Sequence, residues 1–350
     1  MKKISKIFLL FMIAVISITV KLPSIKSNAN APSVAEIVME KTSGRILHEI
    51  NANQKLPIAS TTKTVTAITV IENYDLEQTV TVPKECVGVE GSSIYLKEGE
   101  KYSVKDLLFG LMLRSGNDCA ETLAITLSGS ISNFTDKMND LATKCGAKNT
   151  NFVNPHGLHD DNHYSSAYDL AKITCHALKN EKFKEIVSAK RHVATELTTN
   201  TKREWINKNK MLNSYEGATG VKTGFTKKAG RCLISSAQDG DMEIVCVVLN
   251  SPMMFERSKQ LLDCSFQDYK LVKVIDKDKF NYVLPNENGE YKCLKIDFSF
   301  YYPIKNGEVL TPKLILPEKL ETTVKSNQIV GKIEIYGSKQ LIFYQNIYTL

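Results

Sequence analysis

Apolar residues recur at two different periods along this 350-residue chain, and the change of period marks a change of structure. Ala35-Glu36-Ile37-Val38-Met39 and Arg45-Ile46-Leu47-His48-Glu49 flank the turn-forming cluster Thr42-Ser43-Gly44, which predicts a β-hairpin. From Ser60 the spacing becomes helical, with Val65, Ile68, Thr69 and Glu72 continuing the pattern, and Ser60 or Thr61 is expected to cap the helix. Further helices are predicted over 104–113, 119–127, 134–145 and 166–178. Strands follow at 221–226, 231–238 and 242–250, the last two joined by the hairpin signal Asp239-Gly240-Asp241, and a helix is expected near 253–268. Strands at both ends of a helical stretch imply an antiparallel sheet assembled from the two ends, with a helical subdomain between them: an α+β fold.

After residue 270 the texture changes to short alternating runs such as Lys295-Ile296-Asp297-Phe298 and Lys332-Ile333-Glu334-Ile335-Tyr336, broken by Pro, Asn and Gly. These predict a small all-β domain over 271–350, behind a larger one over 32–270. Residues 341–350 read as a strand rather than an amphipathic helix. The first 31 residues have a different character. Lys2, Lys3 and Lys6 precede an apolar run from Ile7 to Val20, then small residues around Ala29-Asn30-Ala31, which is the form of a signal peptide with cleavage after Ala29 or Ala31. At 14 residues the run falls short of the roughly 20 that span a bilayer, so export with cleavage is expected over a membrane anchor.

Composition refines this picture in two respects. Five lysines of the leader, without acids, account for +5 of the formal +7, so the remainder carries about +2 and nucleic-acid binding is not expected. Eight cysteines (86, 119, 145, 175, 232, 246, 264 and 293) contain no C-x-x-C pair, and most read as buried free thiols rather than a disulfide framework.

The candidate chemistry lies in three short motifs in order: Ser60-Thr61-Thr62-Lys63, Ser115-Gly116-Asn117 and Lys222-Thr223-Gly224. Residues three apart share a helix face, so the Ser60 hydroxyl and the Lys63 amine can meet. Lys63 accepts a proton only when neutral. Lowering its pKa by about three units from about 10.4 requires roughly 4 kcal/mol, within reach of burial beside a second cation, which would be Lys222. Ser115 could relay the proton to a leaving group, and the Asn117 amide could bind a peptide backbone. Lys222 and Thr223 on a strand edge would hold a substrate carboxylate, and the backbone amides of Ser60 and Phe225 would form an oxyanion hole. Taken singly, each motif has a plainer reading: a capped helix with an exposed lysine, a helix-to-helix turn, and a strand end with a turn glycine. Their co-occurrence in order favours an acylating serine site.

Four longer stretches strengthen this reading: Leu56-Pro57-Ile58-Ala59-Ser60, Gly91-Ser92-Ser93-Ile94-Tyr95-Leu96, Asn154-Pro155-His156-Gly157-Leu158 and Ser166-Ala167-Tyr168-Asp169-Leu170-Ala171. With the three motifs they resemble the low-molecular-weight penicillin-binding proteins, the serine-type D-alanyl-D-alanine carboxypeptidases, over nearly the whole chain after the leader. The resemblance implies a β-lactamase/transpeptidase-like domain and removal of the terminal D-alanine from peptidoglycan stem pentapeptides through an acyl-enzyme. It also implies covalent capture of β-lactams, action outside the cytoplasmic membrane and no cofactor. By it, Ser60 is the nucleophile and Lys63 the base, Ser115 and Asn117 form the second motif, and Lys222, Thr223 and Gly224 the third. Two departures stand out: many members end in an amphipathic helix that lies on the membrane, and Arg231 stands where the family more often has an aromatic or neutral residue.

Competing readings are a class A β-lactamase, a DD-endopeptidase, a penicillin-binding sensor or scaffold without turnover, and a metal hydrolase. The first needs a glutamate in a Glu-x-x-Leu-Asn stretch between the second and third motifs, and there is none. The last would draw on His156, His159, His163, Asp160 and Asp161, whose spacing matches no standard zinc motif.

Overall fold

The computed structural model describes residues 33–350, so the expected signal peptide and its expected cleavage site lie outside the described residues. The chain starts with β1 (Ala35–Glu40) and β2 (Ile46–Ile50). It then leaves the sheet through α1 (Thr62–Asn73), the short strands β3 (Thr79–Thr81) and β4 (Lys101–Ser103), α2 (Val104–Phe109), α3 (Asn117–Ser128), α4 (Ile131–Lys144), α5 (Ala167–Ala177) and α6 (Glu181–Ser188). A hairpin of β5 (Arg191–Thr195) and β6 (Lys202–Ile206), then one helical turn α7 (Met211–Ser214), lead back to β7 (Ala218–Thr226), β8 (Gly230–Asp239) and β9 (Met242–Leu249). After α8 (Met254–Asp268) come seven strands: β10 (Tyr269–Ile275), β11 (Tyr282–Pro285), β12 (Tyr291–Lys295), β13 (Phe300–Lys305), β14 (Leu310–Ile315), β15 (Ile329–Gly337) and β16 (Gln340–Thr349).

The main sheet is antiparallel in the order β2-β1-β9-β8-β7, so its two ends in sequence meet at the β1–β9 pairing, with Val38 opposite Cys246. Every residue of β1 and β9 is buried, because α5 packs on one side of the sheet and α8 on the other. That explains the unbroken apolar run of β9, where a half-exposed strand would alternate. β7 ends the sheet, and among the described residues its outer edge has no strand partner. The first nine residues of α1 are all buried, which makes it the central helix of the helical region.

Several expectations need correction. Neither Ser60 nor Thr61 caps α1: a 3₁₀ turn, Ala59–Thr61, precedes it, and the Thr61 hydroxyl donates to the Ile58 carbonyl at 2.6 Å. The predicted helix over 104–113 widens at Gly110–Arg114 into a π turn. α6, the β5–β6 hairpin and α7 had no expected counterpart, since their runs are too short and mixed to show a period. All eight cysteines are free thiols, and five are buried, but Cys264 and Cys293 are exposed.

The C-terminal strands form a second antiparallel sheet, β11-β12-β16-β15-β14, and a β10–β13 ribbon, around an apolar cluster that includes Leu294, Ile333, Ile335 and Ile347. Arg45, in the β1–β2 turn, reaches this region. Its guanidinium pairs with both oxygens of Glu308, at 2.7 and 2.9 Å, and lies between the rings of Tyr269 and Tyr302.

Glu36 is fully buried on β1. Burial resists its ionisation, but Arg257 of α8 grips both carboxylate oxygens and His48 adds a hydrogen bond at 2.8 Å, so its pKa is brought from 4.5 down to about 2. A depressed carboxyl stabilises the fold above pH 4.5 and loses that contribution as pH falls toward 2. Arg257→Ala, which strands a buried carboxylate, is expected to destabilise the protein by about 3 kcal/mol at pH 7, with the gap to wild type narrowing below pH 4.5. Urea unfolding at pH 7 and pH 4 checks both; a gap independent of pH would contradict the assignment.

Candidate active site

The turn that carries Ser60 is built from strained and closely packed backbone. Ala59 has φ +48°, a left-handed conformation unusual for alanine, and two contacts hold it. The Thr62 hydroxyl donates to the Ala59 carbonyl at 2.8 Å, and His163 Nε2 lies 2.8 Å from the same hydroxyl. Because His163 Nδ1 accepts from the Val153 amide at 3.2 Å, the proton of the neutral ring is on Nε2 and is donated to Thr62. Burial holds His163 neutral, its pKa pushed down to about 3. Gly157 (φ +88°) closes the turn from the other side, where a Cβ would lie 2.0 Å from the Ala59 oxygen.

Lys63 is fully buried and its Nζ has three neighbours: Ser60 Oγ at 3.1 Å, Asn117 Oδ1 at 2.6 Å and the His156 carbonyl at 2.7 Å. Burial first, and the charge of Lys222 second, push its pKa well below the usual lysine value. The neighbours then decide the geometry. Asn117 Oδ1 and the His156 carbonyl can only accept, so a neutral amine gives them its two protons and turns its lone pair to the Ser60 hydroxyl.

The second motif lies where the π turn ends. Ser115 has φ +64° and is buried, and Asn117 is the first residue of α3. Besides holding Lys63, the Asn117 side chain donates to the Glu90 carbonyl at 2.5 Å. The expectation that this amide faces a peptide substrate is therefore corrected in part: its oxygen and one N–H are taken up within the protein. The next residue, Asp118, clamps the 90–96 loop, accepting from the Ser93 hydroxyl at 2.5 Å and from the Ile94 and Leu96 amides. Sequence reasoning passed over both Asp118 and Thr62, since an acid in a first helical turn and a buried threonine carry no signal of their own.

The third motif is on the sheet edge. Lys222 is buried, with Nζ donating to the Thr223 carbonyl at 2.9 Å; burial, with Lys208 adding to it, brings its pKa down to about 7. It has no carboxylate partner among the described residues. Gly224 lies against the Ser60 turn, where a Cβ would be 3.0 Å from the Ser60 and Thr61 amide nitrogens. Phe225 follows, 62% exposed. The structure thus gathers Ser60, Lys63 and Asn117 through direct contacts, brings Gly224 up to Ser60, and puts Lys222 near enough to Lys63 to depress it.

The histidines considered as metal ligands are engaged otherwise. His156 Nε2 pairs with Glu121 at 3.1 Å, His163 holds Thr62, and His159 lies 3.4 Å from Asp161. Among the described residues, no three His, Cys, Asp or Glu side chains are grouped to hold a metal.

An α+β fold whose antiparallel sheet edge packs against a Ser-x-x-Lys turn defines the class of active-site-serine acyl-transfer enzymes. Comparison with known proteins narrows this: the D-alanyl-D-alanine carboxypeptidase profile, peptidase S11, matches residues 22–253, and the chain belongs to that family. It is 31% identical to the D-alanyl-D-alanine carboxypeptidase DacF of Bacillus subtilis (strain 168) over 311 residues, 85% of this chain and 79% of the relative. Among solved structures, penicillin binding protein 5 from Haemophilus influenzae superposes with a TM-score of 0.79 at 27% identity, covering 93% of this chain and 98% of that one. The Streptomyces K15 DD-transpeptidase gives 0.64 at 31% identity, over 69% and 99%.

Gly157→Ala places a methyl group on backbone that cannot retreat and at a φ that alanine resists. It is expected to lower stability by about 3 kcal/mol or more. A urea midpoint equal to wild type would contradict the packing described for the Ser60 turn.

Proposed function

We propose that the protein is a serine-type D-alanyl-D-alanine carboxypeptidase that removes the terminal D-alanine from peptidoglycan stem pentapeptides, with Ser60 as nucleophile. The observation that carries this reading is the buried Lys63 amine, whose two fixed acceptors leave one lone pair for the Ser60 hydroxyl. Lys63 takes the proton as Ser60 Oγ attacks the carbonyl of the penultimate D-alanine. The amides of Ser60 and Phe225 stabilise the resulting oxyanion. Ser115 passes the proton to the departing amine of the terminal D-alanine, and the acyl-enzyme is released by water. Thr223 and Lys222 hold the terminal carboxylate, Gly224 allows the strand to approach, and Asn117 keeps Lys63 in place and has one N–H left for substrate. A β-lactam enters by the same route and, with no Glu-x-x-Leu-Asn glutamate to activate a deacylating water, stays on Ser60.

The leader pattern of residues 1–31 supports export, which would put the enzyme on the outer side of the cytoplasmic membrane, where stem peptides lie. Among the described residues no helix is long and apolar enough to cross a membrane. Residues 32–270 form the catalytic domain in this reading and 271–350 a β-rich domain without a catalytic constellation.

Labelled penicillin should acylate the wild type and persist, while Ser60→Ala and Lys63→Ala take up no label; label on Ser60→Ala would reassign the nucleophile. Steady-state release of D-alanine from a pentapeptide separates this reading from a sensor that does not turn over. The pH profile is set by the two lysines. Lys222 is charged below its pKa of about 7 and neutral above it, so kcat/KM should fall by up to about tenfold per pH unit beyond pH 7. On the acid side, protonation of Lys63 removes the base. Lys222→Gln should raise KM chiefly and flatten the alkaline limb, and an unchanged limb would deny Lys222 its role.

A further inference from the structure

Arg231 is the cation for which the proposed reaction has no use. It lies on β8 directly opposite Phe225 of β7, so the two side chains share a face of the sheet. Its guanidinium carbon is 5.7 Å from the centre of the Phe225 ring, close enough for the ring to orient it, and both side chains are exposed. Lys227 and Lys228, in the turn joining the two strands, are exposed as well. None of the three forms an ion pair among the described residues. This end of the hairpin is therefore a patch of uncompensated positive charge, with one member held against a ring.

Its position relative to the reaction is fixed by the strand. Phe225 is three residues beyond Lys222, about 10 Å along an extended chain. On the reading proposed above, on which this inference rests, the terminal carboxylate lies at Lys222 and the scissile carbonyl at Ser60 and Gly224. The substrate then runs antiparallel to β7, and its upstream residues pass the free edge beside Phe225. An extended peptide turns alternate side chains to the two faces of a sheet, and one on the Phe225 face meets the guanidinium.

We infer that Phe225 and Arg231 form a second anionic subsite, which selects stem peptides carrying a free carboxylate on the side chain immediately upstream of the two terminal alanines. The two cations bracket the nucleophile. Lys222 is buried and receives the carboxylate common to every substrate, whereas Arg231 is solvated and distinguishes one upstream residue from another. Such an exposed contact sets preference and encounter rate more than overall affinity.

The test uses the full chain and two synthetic pentapeptides ending in D-Ala-D-Ala that differ only in a glutamate or a glutamine at the third position. The wild type is expected to favour the glutamate peptide about five- to tenfold in kcat/KM at low salt, less at 1 M salt. Arg231→Gln should bring the ratio close to one, and Arg231→Lys, which keeps the charge without the planar fork, should retain part of it. Labelled penicillin, which carries no carboxylate on the upstream side of its reactive carbonyl, reports that each variant is folded. Equal kcat/KM for both peptides in the wild type, or a ratio unchanged in Arg231→Gln, overturns the inference and leaves the carboxypeptidase reading standing. Failure of that reading looks different: neither peptide would release D-alanine, and the inference falls with it.

Discussion

A lysine side chain taken wholly out of water is the constraint on which the rest of this structure depends. An ammonium group cannot be buried without compensation, and among the described residues Lys63 has two neutral acceptors and a hydroxyl against it and no carboxylate. The amine is consequently held toward its neutral form, and the acceptors fix which way its lone pair points. Each comes from a different part of the chain: Ser60 from the turn before α1, Asn117 from the start of α3, and the His156 carbonyl from the 154–158 loop. The helical region can be understood as the means of bringing those three segments to one nitrogen and excluding water from it.

Around that nitrogen the backbone is forced into conformations that side chains elsewhere maintain. Ala59 and Ser115 both have left-handed φ, one beside Ser60 and one in the second motif. The Thr62 hydroxyl and neutral His163 sustain the first, and Gly157 leaves room for it. Asp118 plays a comparable part for the 90–96 loop, binding amides that would otherwise be unsatisfied. None of these groups has to touch substrate to matter, because each fixes the position of one that would.

The sheet contributes its edge. β1 and β9 are buried between helices and give rigidity, while β7 offers a flank against the Ser60 turn that no strand of the described residues pairs with. Lys222 lies inside that flank and Arg231 outside it, so two cations nine residues apart in sequence meet very different dielectric environments. Burial lowers the pKa of the first to about 7 and makes its charge responsive to pH near neutrality. The second remains solvated, screened and available to charge on a passing ligand.

Most of the long elements were legible because they depend on local pattern. The hairpin of β1 and β2 and the helices α1, α3, α4, α5 and α8 carry a pattern over enough residues to be read, and β8 and β9 show as apolar runs joined by the turn signal Asp239-Gly240-Asp241. α6, α7 and the β5–β6 hairpin are too short for that. The motif residues were legible too, since Ser-x-x-Lys spacing is a property of a helix face. What the tertiary structure alone decided was the state of those residues. Asn117 turned to Lys63, 54 positions away, in place of a free substrate-binding amide, the His156 carbonyl came to accept from Lys63, and His163 came to support the turn through Thr62. The division has a physical cause. Backbone preference and side-chain period act over a few residues and are written in consecutive positions, whereas desolvation, pKa and the choice of hydrogen-bond partner depend on what distant segments bring alongside once the chain has folded.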